Sequence, residues 1–164
     1  MQRPREITLR FLAAPTDVNF GGKVHGGAVM KWIDQAGYTC AAGWTGCYCV
    51  TVYVGGIHFV RAIHVGDVVE VRALVICTGR SSVHVAVNVA ARSPRDLEGR
   101  RTGHCVIVFV SLGEDGRPEP VPTWTPLTDV DRALEAYALE LAHTRREMDE
   151  KLERQLTQLD VRLE

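Results

Sequence analysis

Residues 26–43, GGAVMKWIDQAGYTCAAG, constrain the fold more than any other stretch. Val29, Trp32, Ile33, Ala36 and Cys40 recur at helical spacing, and Ala28, Met30, Gly37 and Ala41 widen the apolar face. A helix this apolar has to be wrapped on several sides. After it the period drops to two. The runs 48–60, 67–79, 81–93 and 103–112 are rich in Val and Ile, and the turn signals HVGD, TGRS and SPRDLEG separate them. A further strand is expected at 6–13. No helix-length pattern lies between the later runs, so they read as an antiparallel meander. One long helix against one curved sheet buries both apolar surfaces, and the expected class is α+β.

The chain has 164 residues, enough for a sizeable core. Its net charge of -1 gives no basic field for nucleic acid. No apolar run approaches the length of a membrane span, and the N-terminus MQRPREITLR lacks a signal-peptide core, so a cytoplasmic protein is expected. Five cysteines, at 40, 47, 49, 77 and 105, are an odd number and read as free thiols. The C-x-C pair at 47 and 49 has no second pair or paired histidines to complete a zinc motif.

Composition shifts at 118–126, PEPVPTWTP, which should be extended. The residues beyond are rich in Leu, Glu and Arg. Leu127, Val130, Leu134, Tyr137 and Leu141 make an apolar stripe, which Met148, Leu152, Leu156, Leu159 and Leu163 continue with a slip. The expected division is 1–122 for the sheet domain and 123–164 for a proline-rich linker and amphipathic helical tail. Assembly is the first reading of that tail, and a partner-binding helix the second.

Some of these residues could carry chemistry. Asp34 sits amid the apolar positions of the helix, where a carboxylate is expensive unless paired, hydrogen-bonded or functional. It could activate water or attack an acyl group; otherwise it is a partly exposed helical Asp, or one paired with a nearby cation such as Lys31 or Lys23. Gly26 and Gly27 fall where the first N–H groups of the helix have no internal partner. Such a site can polarise a carbonyl oxygen, or the glycines could simply allow close packing against a strand. Asn19 is either a turn former or a group that orients water or substrate. His25, directly before Gly26, could be structural. Arg80, Ser81 and Ser82, in GRSS, could contact phosphate or form a plain hairpin turn.

In order along the chain, these pieces resemble a known family. The motifs are P-T-D-V-N at 15–19, V-H-G-G at 24–27, M-K-W-I-D at 30–34, G-C-Y-C-V-T at 46–51, F-V-R at 59–61, V-G-D-V-V at 65–69 and G-R-S-S at 79–82. They resemble the hotdog-fold acyl-CoA thioesterases, the YciA-like and cytosolic acyl-CoA hydrolase family, over about residues 5–122. The resemblance implies a central helix wrapped by a curved antiparallel sheet, and hydrolysis of acyl-CoA to a carboxylic acid and free CoA. It makes Asp34 the catalytic base or nucleophile and gives Gly26 and Gly27 the thioester carbonyl. Asn19 would come from the facing protomer. His25, Thr51, Arg61, Arg80, Ser81 and Ser82 would contact substrate. No cofactor beyond the CoA of the substrate is implied. One hotdog per chain implies a homodimer or an assembly of dimers such as a hexamer. A hotdog that binds acyl-CoA without hydrolysing it, or serves as a scaffold, is the competing expectation.

Overall fold

The computed structural model describes residues 3–158. Along the chain run β1 (Glu6–Leu12), α1 (Gly26–Thr45), β2 (Tyr48–Phe59), β3 (Val68–Thr78), β4 (Ser82–Arg92), β5 (Arg100–Leu112) and α2 (Asp129–Gln158). They fall into two compact units, Met1–Thr125 and Pro126–Glu164. Each element expected from the sequence is present within a few residues of its expected limits. Leu159 and Leu163, the last members of the expected tail stripe, lie outside the described residues.

The first unit is one antiparallel sheet of five strands in the order β1-β3-β4-β5-β2. β3, β4 and β5 form the expected meander. β2 departs from it, because it pairs with β5 rather than with the β3 that follows it. The reason lies at the C-terminus of α1. Gly46 caps the helix at a φ of 77°, its N–H donating to Ala42 O at 2.8 Å, and β2 starts two residues later. A reversal that short lays β2 back along α1, and the loop after Phe59 then carries the chain across to β3.

α1 touches all five strands. Val29, Trp32, Ile33, Ala36, Gly37, Cys40 and Ala41 are buried against the sheet, and Trp32 stacks on Phe11 with ring centroids 5.4 Å apart. A Cβ at Gly37 would come within 2.9 Å of the Phe109 ring, so this glycine sets how closely helix and sheet approach. The valines at 69, 71, 75, 83, 85 and 87 are fully buried, as the period-two pattern requires. All five cysteines are free thiols. Burial pushes those of Cys40 and Cys105 up to about 12, so they are inert as nucleophiles.

The wrap covers less of α1 than its composition suggests. Met30 was expected to widen the buried face, but 47% of it is exposed. Met30, Asp34 and Tyr38, four residues apart, share the face that the sheet leaves open. The proline-rich stretch is extended and tied down. Glu119 N–H donates to Ser111 O, Val121 N–H to Arg80 O and Trp124 N–H to Thr78 Oγ1, each at 2.9 Å. Trp124 is buried beneath the Arg5 guanidinium. In the second unit α2 starts after a capping exchange: Asp131 N–H donates to Thr128 Oγ1, and Asp131 Oδ2 accepts from Thr128 N–H, each at 3.1 Å. No described helix is long and apolar enough to cross a membrane.

Candidate active site

The start of α1 is built by His25. Its backbone is extended (φ -75°, ψ 150°), and its Nδ1 accepts the Ala28 N–H at 3.1 Å as the N-cap. His25 was expected at the substrate; in the structure its Nδ1 closes the helix, a role that expectation did not include. Gly27 makes that possible, because a Cβ there would lie 2.9 Å from the ring. With His25 serving Ala28, the N–H groups of Gly26 and Gly27 have no partner among the described residues, and both glycines are exposed. They sit at the positive end of the helix dipole. A cleft of about 310 Å³ opens beside Gly26, lined by Lys23, Phe59, Arg61 and Thr102 among others.

Asp34 is not buried, contrary to what its apolar neighbours suggest. Ile33 beside it is 1% exposed, but Asp34 itself projects from the open face of α1. A residue step of about 100° takes the chain from the wrapped side of the helix to the open side. The carboxylate is not loose. Thr51 Oγ1 on β2 donates to Oδ1 at 2.7 Å, which leaves Oδ2 without a partner among the described residues. Neither Lys31 nor Lys23 pairs with it among the described ion pairs. Thr51 was expected to touch substrate. Its contact with Asp34 was not foreseen, although a hydroxyl on the strand alongside the helix was the available signal.

Asn19 organises a turn. Its Oδ1 accepts Gly21 N–H at 2.9 Å and Lys23 N–H at 3.3 Å, while its own N–H donates to Lys23 O at 2.8 Å. The side-chain amide is exposed and keeps its two donors for another group. The remaining candidates divide. Arg61 joins Lys23 and Gly26 in the cleft, beside the Phe59 end of β2. Arg80, Ser81 and Ser82 form the β3–β4 turn at the other end of the sheet, where Ser82 pairs with Val110 and Val110 with Val50. One protomer therefore does not bring Arg61 and Arg80 together.

It does not bring Gly26 and Asp34 together either. They are eight residues apart on one helix, about 12 Å along its axis. A hydrogen bond spans about 3 Å and an Asp side chain reaches little further. A single carbonyl cannot touch both groups of the same chain.

Known proteins carry the same architecture. The Thioesterase superfamily profile matches residues 21–98. The acyl-CoA thioester hydrolase YciA of Salmonella typhimurium is 33% identical over 121 residues, which span 71% of this chain and 90% of that protein. The crystal structure of an acyl-CoA hydrolase from Bacillus cereus superposes with a TM-score of 0.84 at 25% identity, over 93% of each chain. A coverage that high extends well into residues 127–164, a tail the resemblance had not accounted for. A hexameric thioesterase from Yersinia pestis superposes with a TM-score of 0.66 at 33% identity, over 70% of this chain and 93% of that one.

Proposed function

The chain belongs to the thioesterase superfamily, and on that premise we propose that it hydrolyses acyl-CoA thioesters to a carboxylic acid and free coenzyme A. One observation carries the reading. Asp34, open to solvent and fixed by Thr51, lies on the same helix as two exposed glycines whose N–H groups have no partner among the described residues.

Asp34 supplies the carboxylate that takes a proton from water or attacks the carbonyl carbon, and either route needs the same placement. Thr51 holds Oδ1 and leaves Oδ2 to act. The Gly26 and Gly27 N–H groups stabilise the oxyanion as charge moves onto the thioester oxygen. By the first route the C–S bond breaks to release the acid, and the leaving thiolate takes the proton that Asp34 removed from water. By the second, loss of the thiolate leaves the acyl group as an anhydride on Asp34, and a water hydrolyses it to the acid, restores the carboxylate and supplies the proton of the CoA thiol.

The distance of about 12 Å decides how the site is composed. Asp34 of one protomer works with Gly26, Gly27 and Asn19 of a second copy. β2 supports this, because among the described residues it ends the sheet with an unpaired edge and exposes Val52, Val54 and Phe59, with exposed Val60 directly after it. A second copy paired antiparallel along β2 carries its helix start toward this Asp34. The same two-fold brings Arg61 of one chain toward the end of the sheet that bears Arg80 of the other. Both cations then serve one CoA and its phosphates. We read the complete protein as a homodimer or an assembly of dimers such as a hexamer, with the 127–164 tail serving assembly, in the cytoplasm.

The direct test is release of free thiol from a series of acyl-CoAs by the purified chain. Turnover of at least one acyl-CoA is expected. Tight binding without turnover would establish a binding protein instead.

A further inference from the structure

Phe20 is 115% exposed, so its ring stands in solvent on its own protomer. It does not ride on a loose tip. Gly22 N–H donates to Asn19 O at 2.9 Å, Asn19 Oδ1 holds Gly21 and Lys23, and a bridge between Val18 and Val24 closes the base of the loop. Gly22 takes the left-handed φ of 70° that lets the chain turn back so sharply. A large ring held out in water by a fixed turn has burial to gain from something outside the protomer.

Two further observations say what that is. Phe20 directly follows Asn19, so any surface that Asn19 reaches lies within reach of the ring. Asp34 is flanked on its own helix face by Met30 and Tyr38, 47% and 38% exposed, one turn to either side. These are apolar walls beside a carboxylate, open on the side away from the sheet. A hydrocarbon bound along them would lack a cover.

We propose that Phe20 of one protomer covers the acyl chain of the substrate bound at Asp34 of the partner subunit, and so sets which chain lengths are accepted. This rests on the shared-site reading of the function. The pantetheine arm of CoA brings its own amides and needs polar partners; the acyl methylenes need an apolar one, which Phe20, Met30 and Tyr38 supply from two chains.

The experiment compares kcat/KM of parent and Phe20→Ala on acetyl-, butyryl-, hexanoyl- and decanoyl-CoA, with light scattering for oligomer size. The ratio of hexanoyl- to acetyl-CoA turnover should fall about tenfold, the discrimination that one or two lost apolar contacts produce, with oligomer size unchanged. Subunits of Phe20→Ala and Asp34→Ala are then mixed. In the mixed dimer the surviving Asp34 faces an intact Phe20, while the remaining Phe20→Ala homodimers contribute an equal number of variant sites, so after full exchange of equal amounts the ratio should rise to about half of the parental value. A ratio that stays parental in Phe20→Ala overturns the proposal, as does dissociation of that variant or a mixture that keeps the variant ratio. A parent chain with no acyl-CoA hydrolysis at all overturns the function itself and this proposal with it, which separates the two failures.

Discussion

The sheet has two edges, and they are built in opposite ways. β1 closes one with charge: Arg10 pairs with Glu70 at 2.7 Å, and Arg72 reaches Glu6 through two nitrogens at 2.5 and 2.7 Å. Charged side chains along an edge discourage a further strand. β2 closes the other with Val52, Val54 and Phe59, all about half exposed, and Asp34 lies beside it. The first edge belongs to a finished surface. On the function proposed above, the second is the edge along which another copy pairs, and the protomer, complete as a fold, holds half of a shared site.

The contrast can be broken at several points. Asp34→Ala should cost at least ~100-fold in turnover. Because the carboxylate is exposed, the thermal midpoint should stay near that of the parent. A folded variant at the parental rate removes Asp34 from the chemistry. Val54→Lys places a charge on the open edge and should lower both oligomer size and activity, read together by light scattering and assay. Thr8→Lys, on an exposed position of β1, should change neither. Equal effects at the two edges would erase the distinction. Thr51→Val keeps the shape but loses the donor to Asp34. It should lower kcat about tenfold with KM nearly unchanged, and Thr51→Ser should recover most of the loss.

The smallest effect belongs to the charged edge. The hydrogen bond from Arg72 holds the Glu6 carboxyl below its ordinary value. A depressed folded value means stability that is present above the unfolded value and lost as pH falls through the folded one. Both side chains are more than a third exposed, so the contribution is a few tenths of a kcal/mol at most. Melting curves of parent and Glu6→Gln should therefore differ slightly at pH 6 and converge near pH 3.

Periodicity made most of the architecture legible. Helical spacing placed α1, and alternation placed the strands, because burial on one face leaves that signature in the residues themselves. The order of the strands was less legible. β2 looks like any other Val-rich run, and its pairing with β5 depends on the reversal at Gly46. The open face of α1 was hidden for the same reason: Met30 reads as core by type, and which side of the helix the strands leave uncovered is not written in that residue. The role of His25 was obscured by its place in the motif, since an N-cap and a substrate contact favour the same position before Gly26. Motif order joined Gly26 to Asp34 as one constellation. The rise of the helix separates them again.

The central claim is that Asp34 and Asn19 act across two chains, and subunit exchange tests it most directly. Asp34→Ala and Asn19→Ala, each inactive alone, are mixed in equal amounts, and exchange is verified by native mass spectrometry. Half of the dimers formed are mixed, and each has one intact pair. Activity should return to about a quarter of the parental value. A fully exchanged mixture that stays as inactive as its components would contradict the shared site.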